Sequence, residues 1–441
     1  MKYIVFGLGI SGKGAIQLLE KKKLEYIVVD DKLGISSEEA KKITAKTDIV
    51  IKSPGISWKN TYLQYCLENK IKIISEIDLA LKYINPNTKI IAVTGTNGKT
   101  TVVTKIYELL KYVGYKASLG GNEGHSLAKI VADGKDQDFV VLEMSSYQLE
   151  NKPTIKPYIA LVTNLTPDHL LRYDSVDEYY NTKMNIFSNQ DEKDYAIINQ
   201  EDKEFKRIFK GTRAKIVAMN SNKEFLNFDT VLKGKHNIQN MLNIVTVAKI
   251  LNIDESKIKE FLQKTKPLEH RMEVFFKVKN TSFINDSKGT NVESTLFAID
   301  AYKNKKLYLI CGGQDKKIDN SKLFKAIYEY CDFVYLIGEN AHLYEEDFKK
   351  NSYKNYINLN NLENVVKYIK EKVDLDEEKY ILLSPATASF DQYKSFEKRG
   401  EHFKELVKKY FGGINEWYRK KKNENINLLI SSNTYWLDIC W

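Results

Sequence analysis

Short apolar runs recur along the chain. Each leads into a turn rich in glycine or polar residues and then into a stretch with helical spacing. Residues 2–6 (KYIVF), Tyr26–Val29, Ile90–Val93, Phe139–Leu142, Leu307–Cys311, Phe333–Ile337 and Tyr380–Leu383 are such runs. Four or five apolar residues without polar alternation suit strands covered on both faces, as in parallel sheets flanked by helices. The alternation fills three segments, so the expected fold is α/β in three domains, each a mostly parallel sheet with helices. A Rossmann-like domain over 1–86 closes at Asn85-Pro86-Asn87. A central P-loop ATPase-like domain over 87–266 closes at Lys266-Pro267, and a Rossmann-like domain over 267–411 closes with a helix from Phe396 to about Phe411. Residues 412–441 break the pattern: Gly412-Gly413, expected to end that helix, then a basic run from Arg419 to Lys422, then an Asn-rich and apolar end. No function follows from this tail.

The densest chemistry is at residues 90–104, IIAVTGTNGKTTVVT. A strand, a Gly-rich turn and a helix from Val102 to about Tyr112 aim backbone N–H groups and a helix N-terminus at an anion. Gly95, Thr96, Asn97, Gly98 and Thr101 belong to that turn; Lys99 would neutralise the outer phosphates of a nucleotide, and Thr100 would offer its hydroxyl to Mg²⁺. The first glycine is Gly95, where the common spacing would place it at Val93, so the loop is short. ATP chemistry is the leading expectation.

Other turns offer weaker signals. Gly7-Leu-Gly9-Ile-Ser-Gly12 after the first strand, with Asp30 eighteen positions on, fits a dinucleotide fingerprint. Ser53-Pro54-Gly55 lies at a strand's carboxyl end, as a ligand loop or as a plain turn. Glu143 ends an apolar strand downstream of the phosphate loop, placed to bind Mg²⁺ directly or through water. His169 follows Asp168 beyond another strand, as a ligand or as a turn residue. Ser175 with Glu178 predicts a capping box for a helix over 175–187; Lys183 on it reads as one more surface lysine. His236, Asn237 and Asn240 open a helix, either to read a nucleotide or to cap. Asp286-Ser-Lys288 and the small residues around Ser389 each end a strand.

Composition removes alternatives. The formal net charge of +10 suggests nucleic acid, but only six of 68 basic residues are Arg and the Lys are spread along the chain, so no nucleic-acid partner is expected. Four cysteines without a CxxC pair point to a reducing compartment. No apolar run is long enough to span a membrane, and the opening strand does not suit a signal peptide.

The order GTNGKTT, EMSSYQLE from Glu143, NLTPDH ending at His169, Lys183, GKHNIQN, LEHR ending at Arg271, INDSKGTN, CGGQDK and SPATASFDQ resembles the Mur ligase family over about residues 1–411. GLGISGKG and SPATASFDQYKSFEKRG look most like its D-glutamate-adding branch. The resemblance implies a cytoplasmic ATP- and Mg²⁺-dependent ligase of peptidoglycan precursor synthesis, expected to be a monomer. It implies that the L-alanyl carboxylate of UDP-N-acetylmuramoyl-L-alanine is phosphorylated and then attacked by D-glutamate. It assigns Lys99, Glu143, His169 and Lys183 to catalysis, Thr100 and Glu143 to one Mg²⁺, and Glu143, His169 and a carbamylated Lys183 to a second. Asn240, Arg271 and Asp286 match nucleotide contacts. Ser11, Asp30, Asp31, Lys32 and Ser53-Pro54-Gly55 would hold the uracil nucleotide, which moves GxGxxG from NAD to the substrate. Asn122 matches a substrate contact, although Glu123 stands where an apolar residue is usual. Lys288 shares its motif with Thr290; Thr290, Lys316, Ser389 and Phe396 match the D-glutamate side. An NAD-dependent oxidoreductase would leave GTNGKTT and Glu143 unexplained, and a phosphate-loop switch would leave the Ser389–Phe396 region without an amine to bind. A diaminopimelate- or lysine-adding member would carry an Asn-Pro-Arg run, which is absent.

Overall fold

A computed structural model describes residues 2–168, 172–219, 225–226, 235–266, 268–315 and 319–413. The described residues form two compact units, one running to Thr265 and the other from Lys266 on. His169, Lys316 and the tail from 414 lie outside the described residues.

The first unit holds two sheets. In the first, β1 (Tyr3–Phe6), β2 (Tyr26–Val29), β3 (Ile49–Lys52) and β4 (Lys72–Ile74) pair in parallel in the order β2-β1-β3-β4. In the second, β5 (Lys89–Thr94), β6 (Ala117–Gly121), β7 (Phe139–Glu143), β8 (Ile159–Val162), β9 (Tyr195–Ile198) and β10 (Lys215–Ala218) run in parallel in the order β10-β9-β8-β5-β7-β6.

Period-two side chains on β1 explain why the two sheets share one unit. Ile4 and Phe6 face a small cluster with Tyr62 and Leu63. Tyr3 and Val5 face the opposite way, into a cluster that continues through Leu127 and Ala128 to Ile90 and Leu142 of the second sheet. The helix Ile10–Lys21 meets the helix Leu127–Asp133 so closely that a Cβ on Gly14 would lie 1.8 Å from Ser126 Oγ. Only glycine fits there.

The second unit holds β11 (Glu273–Val278), β12 (Thr281–Asn285), β13 (Leu307–Cys311), β14 (Phe333–Ile337), β15 (Tyr356–Asn360) and β16 (Lys379–Leu383), in the order β11-β12-β16-β13-β14-β15. All pairs are parallel except β11 with β12. Only Lys279 and Asn280 join those two strands, and a parallel crossover needs a dozen residues or more. Leu307, Leu309 and Cys311 face one core layer and Ile310 the other.

The α/β class is as expected, and three elements differ in detail. The helix begun at Phe396 includes Gly412 and Gly413, the last described residues, where it was expected to stop at about Phe411. The helix after Ser175 is α-helical over Val176–Met184 and 3₁₀ over Asn185–Phe187. Ser175 Oγ accepts the N–H of Glu178 (3.1 Å), but the Glu178 carboxylate takes the N–H of Asp174 (2.8 Å), so the expected capping box closes one residue early.

Glu76 ties the two sheets of the first unit together. It sits at the first position of the helix Glu76–Leu81, only 2% exposed, and its Oε2 accepts the N–H of Ala128 (2.9 Å). Its Oε1 has no hydrogen-bond partner among the described residues. Burial pushes its carboxyl up to about 7 from an ordinary 4.5, against the opposing bonds from Ala128 and Leu127. The folded state therefore keeps a proton that the unfolded chain releases, and stability falls as pH rises through that window. The Glu76→Gln variant is expected to be more stable than the parent at about pH 8, by on the order of 3 kcal/mol at most, and to have a shallower slope between 4.5 and 7, by one group's share. Urea unfolding across that range measures this, and an unchanged slope would exclude Glu76 as its source.

Candidate active site

Parallel register assembles the first cluster. Val93 of β5 lies opposite Glu143 of β7, and Gly121 of β6 lies opposite Glu143 on its other side. The phosphate loop, Glu143 and the Gly120–Gly124 loop thus leave the same edge of the sheet, where ligands collect in open α/β folds. The helix begins at Lys99, three residues earlier than the apolar spacing suggested, with Gly98 as its cap. Gly98 has φ +83°, and a Cβ there would lie 2.3 Å from Asn240 Oδ1.

A second loop braces the phosphate loop. Thr163 Oγ1 donates to the carbonyl of Asn97 (2.6 Å), and Asn164 Oδ1 accepts the N–H of Asn97 (2.9 Å). Thr96 Oγ1 donates to the carbonyl of Thr166 (2.9 Å) and accepts its N–H (3.1 Å). Lys99 Nζ donates to the carbonyls of Gly95 (2.9 Å) and Thr96 (2.7 Å).

Lys183 is not a surface lysine. It is 1% exposed, donates to the same Gly95 carbonyl (2.8 Å) and lies 4.5 Å from the centre of the Tyr179 ring. Burial, with the nearby Lys99 charge, holds its amine well below the ordinary lysine range, against the pull of Asp168 and Glu143. Composition concealed this, because one lysine among so many carries no mark in the sequence. Glu143 is 2% exposed; its Oε1 accepts from Asn122 Nδ2 (3.0 Å), and its Oε2 has no partner among the described residues. A buried carboxylate oxygen without a hydrogen bond is costly unless something cationic completes it. Thr100 is buried at the start of the same helix as Lys99.

At the carboxyl edge of the first sheet, Asp30 and Ser53 bind the glycine turn, Ser11 lies on the helix that follows it, and Asp31, Lys32, Pro54 and Gly55 lie on the loops after β2 and β3. Asp30 accepts the N–H groups of Leu8 (3.0 Å), Lys32 (3.0 Å) and Leu33 (3.2 Å), and these bonds hold its carboxyl below the usual range. Asp31 accepts from the backbone and hydroxyl of Ser37 (2.7 and 3.1 Å). Ser53 Oγ donates to the carbonyl of Gly7 (3.0 Å). Both carboxylates therefore shape the loops that surround them.

Arg172 was missed in the sequence. Its guanidinium pairs with Glu150 (2.7 Å), stacks 5.0 Å from the centre of the Tyr147 ring and donates to the carbonyls of Pro54 (3.5 Å), Gly55 (3.4 Å) and Ile56 (3.0 Å). It fastens the Ser53-Pro54-Gly55 loop to the second sheet. The scarcity of Arg was the available signal.

In the second unit, Arg271, Asp286, Lys288, Thr290, Ser389 and Phe396 come together at the carboxyl edge of β12 and β16. Asp286 accepts from Ser384 Oγ (2.7 Å) and the N–H of Met272 (3.2 Å). Burial pushes its carboxyl up to about 7, with Ser384, Arg271 and Arg399 opposing. Lys288 donates its N–H to the carbonyl of His270 (3.1 Å) and lays its Nζ 5.0 Å from the centre of the Phe396 ring. Lys404 bridges Glu269 (2.8 Å) and Glu273 (2.7 Å), tethering the start of this unit to its last helix.

Comparison with known proteins places this geometry in context. The Mur ligase middle domain matches residues 93–225, and the domain described as Mur ligase, glutamate ligase domain matches residues 270–387. A UDP-N-acetylmuramoylalanine–D-glutamate ligase of Fusobacterium nucleatum is 46% identical over 433 residues, covering 93% of this chain and 100% of the relative. The protein of the same description from Natranaerobius thermophilus is 34% identical, covering 92% of this chain and 97% of the relative. Among solved structures, the UDP-N-acetylmuramate-alanine ligase MurC of Thermotoga maritima superposes with a TM-score of 0.58 at 16% identity, over 93% of this chain and 99% of that one. The MurF ligase of Thermotoga maritima in complex with ADP also gives 0.58, at 18% identity, over 84% and 91%. At those identities the superpositions speak for the fold alone.

The Gly98→Ala variant is expected to lose about 1–3 kcal/mol of stability from its left-handed backbone and the clash with Asn240, and to lose most of its affinity for nucleotide. Thermal melts and nucleotide titration check this; wild-type affinity in that variant would show that the loop does not need its observed backbone.

Proposed function

The chain belongs to the Mur ligase family, and on that premise we propose that it joins D-glutamate to UDP-N-acetylmuramoyl-L-alanine at the expense of ATP. The observation that carries this reading is end-to-end identity of 46% with a ligase described by that specificity. The proposed division is a uridine-nucleotide domain over 1–86, an ATP domain over 87–266 and an amino-acid domain over 267–411.

A carboxylate is a poor electrophile at neutral pH. Transfer of the γ-phosphoryl group of ATP to the L-alanyl carboxylate releases ADP and gives an acyl phosphate. The D-glutamate amine then attacks the acyl carbon, loses a proton, and phosphate leaves as the amide forms. Such transfer relies on positioning and charge stabilisation. Lys99 neutralises charge on the transferred group, and the N–H groups at the start of its helix hold the phosphates. Asn240, Arg271 and Asp286 hold the remainder of ATP.

Mg²⁺ fits the donors present. Glu143 Oε2 is a buried oxygen without a hydrogen-bond partner among the described residues, and Thr100 offers a hydroxyl; both are hard-oxygen ligands. When bound, the ion neutralises the phosphate oxygens. Thr100 and Glu143 would hold one ion, and Glu143, His169 and Lys183 a second. For the second, Lys183 acts as its carbamate: the amine adds to CO₂ and releases a proton, which turns a cationic group into an anionic ligand.

Ser11, Lys32 and the Ser53-Pro54-Gly55 loop hold the uridine nucleotide, with Asp30 and Asp31 fixing the turns that present it. Asn122 faces the muramoyl end. Lys288, Thr290, Lys316, Ser389 and Phe396 receive D-glutamate. No helix among the described residues is long and apolar enough to cross a membrane. The proposed ligase would work as a monomer in the cytoplasm.

Phosphate release from ATP in the presence of UDP-N-acetylmuramoyl-L-alanine is expected with D-glutamate and not with L-glutamate, D-aspartate or L-lysine. Release with another of these would reassign the acceptor. The Lys99→Ala variant is expected to lose turnover while still binding the UDP-sugar, and loss of UDP-sugar binding would contradict the domain roles. Turnover in buffer freed of CO₂ should fall several-fold and return with bicarbonate; indifference to bicarbonate would remove the carbamate.

A further inference from the structure

We propose that Arg399 is the positioning residue for the D-glutamate end of the site, one buried guanidinium that sets the loops carrying the D-glutamate contacts. The inference rests on the reading above, and concerns those of its D-glutamate contacts that the structure describes: Lys288, Thr290, Ser389 and Phe396.

Arg399 lies on the helix begun at Phe396 and is 1% exposed. Its Nε donates to Ser287 Oγ (3.0 Å) and its Nη2 to the carbonyls of Ser287 (2.9 Å) and Thr387 (3.2 Å). Its Nη1 donates to the carbonyl of Ala388 (3.3 Å). Ser287 immediately precedes Lys288, and Ala388 immediately precedes Ser389. The carbonyl of Ala388 also accepts the N–H of Gln314 (3.0 Å), and Thr387 Oγ1 donates to the carbonyl of Gln314, in the loop after β13. Ser287 Oγ in turn donates to the carbonyl of Phe396 (2.8 Å). The guanidinium thus fixes two loops directly, a third through Ala388 and Thr387, and the start of its own helix through Ser287.

All four hydrogen-bond acceptors are neutral oxygens. A buried cation without a carboxylate in hydrogen-bond contact is a poor way to add stability. It is a good way to fix geometry, because a planar fork of five donors holds several acceptors at set angles, which a lysine ammonium cannot do. A 1 Å misplacement of groups that hold a substrate costs up to about 100-fold in rate. The contacts on these loops share one substrate, so their relative placement matters more than the placement of any one loop.

The test uses the full chain with the Arg399→Lys and Ser287→Ala variants, assayed by phosphate release with each substrate varied in turn. Arg399→Lys is expected to lower kcat/KM for D-glutamate by about 10- to 100-fold, chiefly through KM, with KM for UDP-N-acetylmuramoyl-L-alanine near that of the parent. Ser287→Ala removes one acceptor of the fork and the link to Phe396, and is expected to act in the same direction to a smaller degree. If Arg399→Lys does not fold, Ser287→Ala decides. Equal changes for all substrates, or an unchanged KM for D-glutamate in a Ser287→Ala protein with parental melting temperature, would overturn the inference while leaving the ligase reading intact. Phosphate release by the parent chain that ignores D-glutamate would overturn both.

Discussion

Parallel pairing of β5 with β7, and of β7 with β6, is the constraint on which the first cluster depends. Because the strands run the same way and start level, Val93, Glu143 and Gly121 reach one sheet edge together. The glycine turn after β5, the carboxylate of β7 and Asn122 after β6 then need no long excursions to meet. Slipping β7 by one residue would turn Glu143 to the opposite face of the sheet. The apolar residues Phe139–Leu142, buried on both sides, fix that register, so the core sets the chemistry in place.

The convergence of two lysines on the Gly95 carbonyl follows from the same edge. Lys99 reaches back from the helix after β5, and Lys183 enters from the helix Val176–Met184. Two ammonium groups this close repel, and only one of them sits where water is excluded. Lys183 carries the larger penalty for its charge, so its environment favours any partner or chemical change that removes that charge. An exposed lysine would feel neither pressure. Burial beside a second ammonium on the same carbonyl, more than its identity, makes Lys183 chemically distinct from the exposed lysines of this chain.

The fold was legible where the apolar runs were pure. Tyr3–Phe6, Phe139–Leu142 and Leu307–Cys311 are interior strands, and each was read correctly because burial on both faces leaves no room for polar residues. β4, β10 and β15 went unread because each lies at a sheet edge, where Lys72, Lys215 and Asn358 interrupt the apolar pattern. β9 is a purely apolar run, Tyr195–Ile198, and was simply overlooked. The strand, glycine turn and helix at residues 89–112 were legible because a pure apolar run leads straight into closely spaced glycines and then into helical spacing. The loop that braces that turn, Thr163 to Thr166, carries no such pattern: its hydroxyls and amides act through backbone partners about seventy residues away in sequence, which no local spacing reveals.

Arginine was the signal most worth following further. In a chain whose cations are almost all lysine, an arginine marks a position where a point charge would not serve, provided the side chain is buried. Arg207 shows why that condition is needed: it is nearly half exposed and pairs with Asp177 and Glu204 at the surface, where screening leaves little energy and lysine would do as well. Arg399 satisfies the condition in full, and Arg172, with its side chain 16% exposed, comes close to it. The first gathers three successive carbonyls and Glu150, and the second gathers four neutral oxygens from two loops. Both act chiefly on backbone, at the edges of loops that the proposed reading gives to ligands. A guanidinium is more weakly hydrated than an ammonium and presents its donors in one plane. It can therefore be buried against carbonyls at lower cost and can hold them at fixed angles. In the proposed reading Lys99 has the opposite task, a point charge that follows a phosphoryl group as it moves, and for that task the flexible ammonium is the better instrument.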